Sequence, residues 1–187
     1  MTTLLHSSLG AADLLGLFGH FLMLSLLAVG GAITTAPGMN RYVVLEHHWL
    51  TDVQFSASVA IAQSAPGPNV LFVAVIGWNV AGPLGALATM SGTLLPSTVL
   101  TLYANRWGAR RRETRGVRAF TIGLTPITVG LLLATGWVLA QPYVVAGAHQ
   151  VEAIAVVALS ALVLLKTRIS PMWLVGAGAV VGGLGWV

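Results

Sequence analysis

The chain has 187 residues, of which 56% are hydrophobic and only 7% charged, with a mean hydropathy of +0.86. A water-soluble domain carries roughly 25% charged residues, because its surface must be wetted; these proportions exclude one. Nine basic residues against five acidic ones leave a net charge of +4, and the absence of cysteine excludes disulfides, thiolate metal sites and thiol catalysis.

A membrane-spanning helix needs about 20 apolar residues, and the first such run extends from Leu14 to Ile33. Gly30-Gly31 lies near its end, with Pro37 beyond. The polar stretch Thr34 to Trp49 follows. Val43, Val44, Leu45 and Trp49 suit an interfacial helix, and Thr51 is placed to cap the helix after it. Between them, Arg41, Glu46, His47, His48 and Asp52 form a concentration of ionisable groups. Arg41 is a candidate anion contact, and Glu46, His47 and Asp52 are candidates for proton coupling. The alternative is a solvated linker on the membrane surface.

The next apolar region, Asp52 to Val80, is broken by Pro66-Gly67-Pro68-Asn69. Two prolines remove backbone donors and clash with a continuing helix, and Gly67 permits a sharp change of direction. Non-helical backbone at membrane depth is tolerated only within protein or beside a water-filled cavity. A helix restarting at Pro68 presents the amides of Asn69, Val70 and Leu71 at its positive end, which suits an anion. The alternative is a loop between short helices, with Gln63 and Asn69 bonding neighbouring helices. Treated as one interrupted crossing, this region is the second span. Further runs are Leu84 to Tyr103, containing Pro96-Ser97; Ala119 to Gln141, containing Thr125-Pro126; Val151 to Leu165; and Met172 to Val187.

The expected fold is therefore an all-α polytopic membrane protein, with about six transmembrane segments in one domain over residues 1–187. Six crossings in turn put loops 34–51, 104–118 and 166–171 on one side. Those loops hold all nine basic residues, so they are expected to be cytoplasmic. Folding 52–80 as a hairpin would instead part Arg41 from the arginine cluster. His20, inside the first span, reads as an interhelical hydrogen bond or a proton relay. No metal-ligand spacing and no phosphate-binding loop is present, so no cofactor is expected.

Read together, these residues resemble the chromate ion transporter family, in its short single-domain form. The resemblance is carried by Gly30-Gly31, Pro37, Met39, Arg41, Trp49-Leu50-Thr51, Phe55, Ala62-Gln63, Pro66-Gly67-Pro68-Asn69, Gly77, Ala81-Gly82, Gly85-Ala86 and Leu95-Pro96-Ser97. Ala32-Ile33-Thr34 and Asn79 depart from the family pattern. The resemblance implies transport of chromate, and of the similar dianion sulfate, across the cell inner membrane, with chromate resistance by efflux. It also implies one half of a two-half architecture, with short chains of this kind often encoded in pairs. The one-sided charge of the loops adds the expectation of a fixed orientation, with either a parallel homodimer or a separate partner of opposite topology. The substrate residues expected are Gly30, Gly31, Arg41, Gln63, Pro66, Gly67, Pro68, Asn69, Val70, Pro96 and Ser97. Other classes remain open: a non-transporting assembly subunit, or an intramembrane enzyme using His47, His48 and Glu46.

Overall fold

A computed structural model describes residues 9–28, 30–65, 68–109, 115–145, 150–167 and 170–183. They are helical throughout, with no strand among the described residues. The all-α membrane fold expected from composition is the one observed. By internal contacts the chain forms two compact units, Met1–Val138 and Leu139–Val187.

In the first unit, α1 (Ala11–Leu27) ends three residues before the paired glycines, earlier than hydropathy alone places its end. Gly30 and Gly31 adopt φ of 91° and 108°, a region that side chains disfavour. They turn the chain through 120° into α2 (Ala32–Glu46). This arm is a 3-10 turn, a short α-helical stretch and a π-helical turn, in which the His47 amide donates to the Tyr42 carbonyl at 3.1 Å. It folds back against α1: Gly38 packs on Leu24, and Tyr42 lies against Gly16 and His20.

Helix α3 (Asp52–Ser64) begins with the anticipated cap. The Gln54 amide donates to Thr51 Oγ1 at 3.2 Å, and the Thr51 amide donates to Gln54 Oε1 at 2.9 Å. Its C-terminal end is the proline-rich break, and α4 (Leu71–Ala109) resumes after it. Pro66 and Gly67 lie outside the described residues.

Here the structure corrects an expectation. The Asn79 side chain donates to Ser58 Oγ at 2.8 Å. In one crossing those residues would be about 30 Å apart at 1.5 Å per residue. Residues 52–80 therefore form an antiparallel helical hairpin, not a single interrupted span.

A second reversal follows inside α4. Ala81 and Gly82 leave helical geometry, Gly82 with φ of 60°. Thr89 Oγ1 donates to the carbonyls of Val73 and Gly85, each at 3.0 Å. Residues 71–80 and 83–109 are thus two antiparallel limbs. The first limb is too short to cross. The apolar part of the second, ending at Ala104, is roughly 33 Å long and matches a bilayer core. Pro96 does not end it, although Pro83 opens it.

The second limb packs on α1, with Gly92 against Phe18 and Leu22, and Ser25 Oγ donating to the Thr93 carbonyl at 2.6 Å. Helix α5 (Arg115–Val144) is also long and apolar enough to cross. Its Thr135 Oγ1 donates to the Ile33 carbonyl at 3.1 Å, which fastens the start of α2.

The second unit contains the end of α5, then α6 (Gln150–Lys166) and α7 (Pro171–Gly183). Glu152 in the first turn of α6 and Lys166 in its last complement the helix dipole. As described, α6 and α7 have 17 and 13 residues. Among the described residues, two helices are long enough to cross, or three if α1 and α2 count as one bent span.

The hairpins also change the expected sidedness. The 47–51 connection lies at the α3 end beside the Ala81-Gly82 turn, whereas Arg106 lies at the far end of the second limb. Residues 47–51 and Arg106 therefore lie at opposite ends of the second limb, because the chain makes one extra return between them. Arg110, Arg111, Arg112 and Arg168 lie outside the described residues.

Candidate functional site

The candidate residues fall into two groups at opposite ends of α3. One group surrounds the break at 65–70. Gln63, Pro68 and Asn69 are exposed there, and Val70 is half-buried. They flank the start of α4, where the Leu71 amide donates to the Pro68 carbonyl at 3.0 Å and the Val73 amide to the Val70 carbonyl at 3.1 Å, so the Leu71 amide expected to face an anion is already engaged. The helix dipole adds partial positive charge at this point. Pro68 has no amide to donate to a continuing helix, and residues 68–70 are not helical.

The antiparallel register of α4 then determines what lies beside this tip. Gly77 faces Gly85 and Thr89 bonds to Val73. Continued to the helix start, that register sets Leu71 level with Ser91. Ser97 Oγ donates back to the Thr93 carbonyl at 2.8 Å, one turn further along. Pro96 withholds an amide from the Gly92 carbonyl, which loosens the backbone here. Ser25 and Ser97 both supply hydroxyls to this loosened turn. Thr93 is 4% exposed, and its own Oγ1 is buried without a hydrogen-bond partner.

The Gly30-Gly31 turn follows α1, and Gly30 packs closely on Thr128 of α5. Helix α2 starts here. Pro96 also borders an apolar groove of about 760 Å³ with Leu22, Leu26, Leu95 and Val99. That groove is almost wholly aliphatic and suits a lipid chain better than an anion.

The second group is Arg41, Glu46, His47 and Asp52. Arg41 Nε pairs with Glu46 Oε1 at 2.9 Å on an exposed surface. Asn40 Nδ2 donates to Asp52 Oδ1 at 3.1 Å, which ties α2 to the start of α3. Helix α3 has 13 residues, so about 20 Å separates this group from the tip at 65–70. One tetrahedral anion cannot touch both groups. Among the described residues, no three His, Asp or Glu side chains come close enough to hold a metal ion.

Two features were not legible in the sequence. Ser25 and Thr93 are ordinary small polar residues in apolar helices, and only their pairing marks them. Tyr42 reads as part of a polar loop, yet its ring stacks on His20 with centroids 3.9 Å apart and planes 11° from parallel.

Comparison with known proteins adds an independent line. The family model described as "Chromate transporter" matches residues 15–183. The chain is similar to the uncharacterized transporter YwrA of Bacillus subtilis, at 28% identity over 169 residues, covering 90% of this chain and 94% of that protein. It is also similar to the chromate transport protein of Cupriavidus metallidurans, at 32% identity over 151 residues, covering 81% of this chain and 37% of that protein. The chromate transport protein of Pseudomonas aeruginosa is 33% identical over 132 residues, covering 71% of this chain and 32% of that protein. The chain thus spans about a third of the length of those two chromate transport proteins. No solved structure matches it.

Proposed function

This chain belongs to the chromate transporter family, and we propose that it moves a tetrahedral oxyanion, chromate and also sulfate, across the cytoplasmic membrane by secondary transport. The direction proposed is outward, giving chromate resistance. The observation that supports this reading is the helix break that ends α3 at Ser64 and restarts as α4 at Leu71, with Gln63, Pro68 and Asn69 exposed beside it.

Chromate and sulfate at neutral pH offer only acceptor oxygens. A site for them needs donors and positive potential without strong fixed charges, or the anion would not leave. The backbone amides of Asn69 and Val70, with the positive end of the α4 dipole, supply both, and helix starts at membrane depth are a recurring transporter device. Gln63 and Asn69 add side-chain amides, and Ser97 and Thr93 add hydroxyls. Pro66 and Gly67 shape the tip, and Val70 and Gly31 contribute backbone donors. Arg41, neutralised by Glu46, acts at the other end of α3 as an entrance or gate. Glu46, His47 and Asp52 line that entrance.

For orientation, Arg106, Arg110, Arg111, Arg112, Arg115 and Arg118 hold loop 104–118 in the cytoplasm by the positive-inside rule. Arg41 then faces the opposite side, at little cost because Glu46 offsets its charge. Matching only about a third of the larger chromate transport proteins fits a partial architecture. We therefore include in the proposal a homodimer or a second short chain of opposite topology.

The test is radiolabelled chromate and sulfate flux in proteoliposomes containing this chain alone, and again with a co-expressed partner. Mutually competing flux in either preparation is the expected result. Folded protein that moves neither anion in both preparations would leave the assembly-subunit reading instead.

A further inference from the structure

His20 is an imidazole within α1, and its Nε2 is buried with no hydrogen-bond partner. An unpaired ring nitrogen inside a membrane helix is costly and calls for an occupant. The Gly38 backbone interacts with the ring from α2, which leaves Nε2 as the nitrogen free to take a proton. The ring face is covered by Tyr42.

Tyr42 is the first step of a ladder. His47 meets it edge-on with centroids 4.4 Å apart, and Trp49 stacks on His47 at 4.3 Å. His47 is exposed. The ladder thus runs from a half-buried imidazole to the exposed start of α3. Glycines allow the close approach: a side chain at Gly16 would press on the Tyr42 hydroxyl, and one at Gly38 would strike Leu24.

We propose that His20 is the proton-binding residue of the transport cycle, and that Tyr42 couples its protonation to the position of α2. This rests on the transport reading above. A proton from water adds to the Nε2 lone pair and makes an imidazolium, with no other bond formed or broken. An aromatic face within about 6 Å attracts such a cation, so the Tyr42 stack offsets part of the cost of charging the ring. The titratable and charged groups facing this pair are Glu46, Arg41 and His47 around His20, and Asp13 beside Tyr42. Helix α2 carries Tyr42 near one end and the Gly31 helix start at the other. A shift of α2 as an anion leaves Gly31 would unstack Tyr42 and release the proton. The positive charge on His20 also offsets part of the dianion's charge inside the bilayer.

The experiment measures chromate flux against pH in proteoliposomes of wild type, His20→Gln, Tyr42→Phe and Tyr42→Leu. Wild-type flux should change by about tenfold per pH unit on one side of its profile, the slope of a single proton. His20→Gln should flatten that profile. Tyr42→Phe, which keeps the ring face, should preserve it, and Tyr42→Leu should displace it. A wild-type profile retained in His20→Gln, or identical behaviour of the two Tyr42 variants, overturns the proposal. A second readout does not need transport. In the ¹⁵N spectrum of histidine-labelled protein in lipid nanodiscs, the resonance lost in His20→Gln should titrate between about pH 5 and 8. If it stays neutral throughout, the proposal fails even where oxyanion flux is present. If it titrates and flux is absent, the proton site stands and the transport reading fails.

Discussion

Gly77 and Gly85 face each other across the reversal in α4 so closely that a Cβ on either would strike the backbone of the other. Small residues let helix backbones approach in a membrane, where packing replaces the hydrophobic drive between helices. This contact, with the Thr89 hydroxyl beside it, aligns the first limb on the second and so sets the level at which the Pro68-Asn69 tip sits.

Backbone cannot move aside as a flexible side chain can. Gly77→Ala is therefore expected to destabilise the folded chain by about 1–3 kcal/mol, the usual cost of overpacking. Gly123→Ala is the control, since nothing lies within 4 Å of its added carbon. There the change should be neutral or gain up to about 1 kcal/mol from helix propensity. Thermal unfolding in detergent would compare the two. Equal midpoints would mean that the limbs do not pack as described.

The absence of cysteine makes the hairpin directly testable. Ser58→Cys with Asn79→Cys should cross-link readily under mild oxidation, since these side chains touch at 2.8 Å. Single cysteines at His48 and at Arg106 should react with an impermeant maleimide from opposite sides of the membrane. Labelling of both from one side, with no cross-link, would restore the single-crossing topology.

At the tip, Gln63→Leu and Asn69→Leu should each lower oxyanion flux by roughly ten- to a hundredfold, the loss of a hydrogen bond to a charged group. Both side chains are exposed, so insertion and thermal stability should be unchanged. Flux equal to wild type in both variants would remove these residues from the site. Arg41→Gln, on the far end of α3, is expected to alter the salt dependence of flux more than anion affinity, because the screening of an exposed charge follows ionic strength.

Much was readable without a structure, and the reason is local. The scarcity of charge requires a bilayer. Pro66 and Pro68 forbid a continuing helix wherever that helix lies, and Thr51 with Gln54 carries its cap within four residues. The Gly82-Pro83 pair falls between the apolar runs ending at Val80 and starting at Leu84, so that boundary was also visible. Which way the chain runs after each break was not. A span of apolar residues has the same hydropathy whether it continues across a membrane or returns beside itself. The choice is made by contacts distant in sequence: Asn79 with Ser58, Gly85 with Gly77, Ser25 with Thr93, Tyr42 with His20. None has a local signature, because a glycine or serine in an apolar helix is unremarkable until its partner is known. Tertiary packing therefore decided that Arg41 and Arg106 lie at opposite ends of the second limb, and that Asp52 stands a helix length from Asn69.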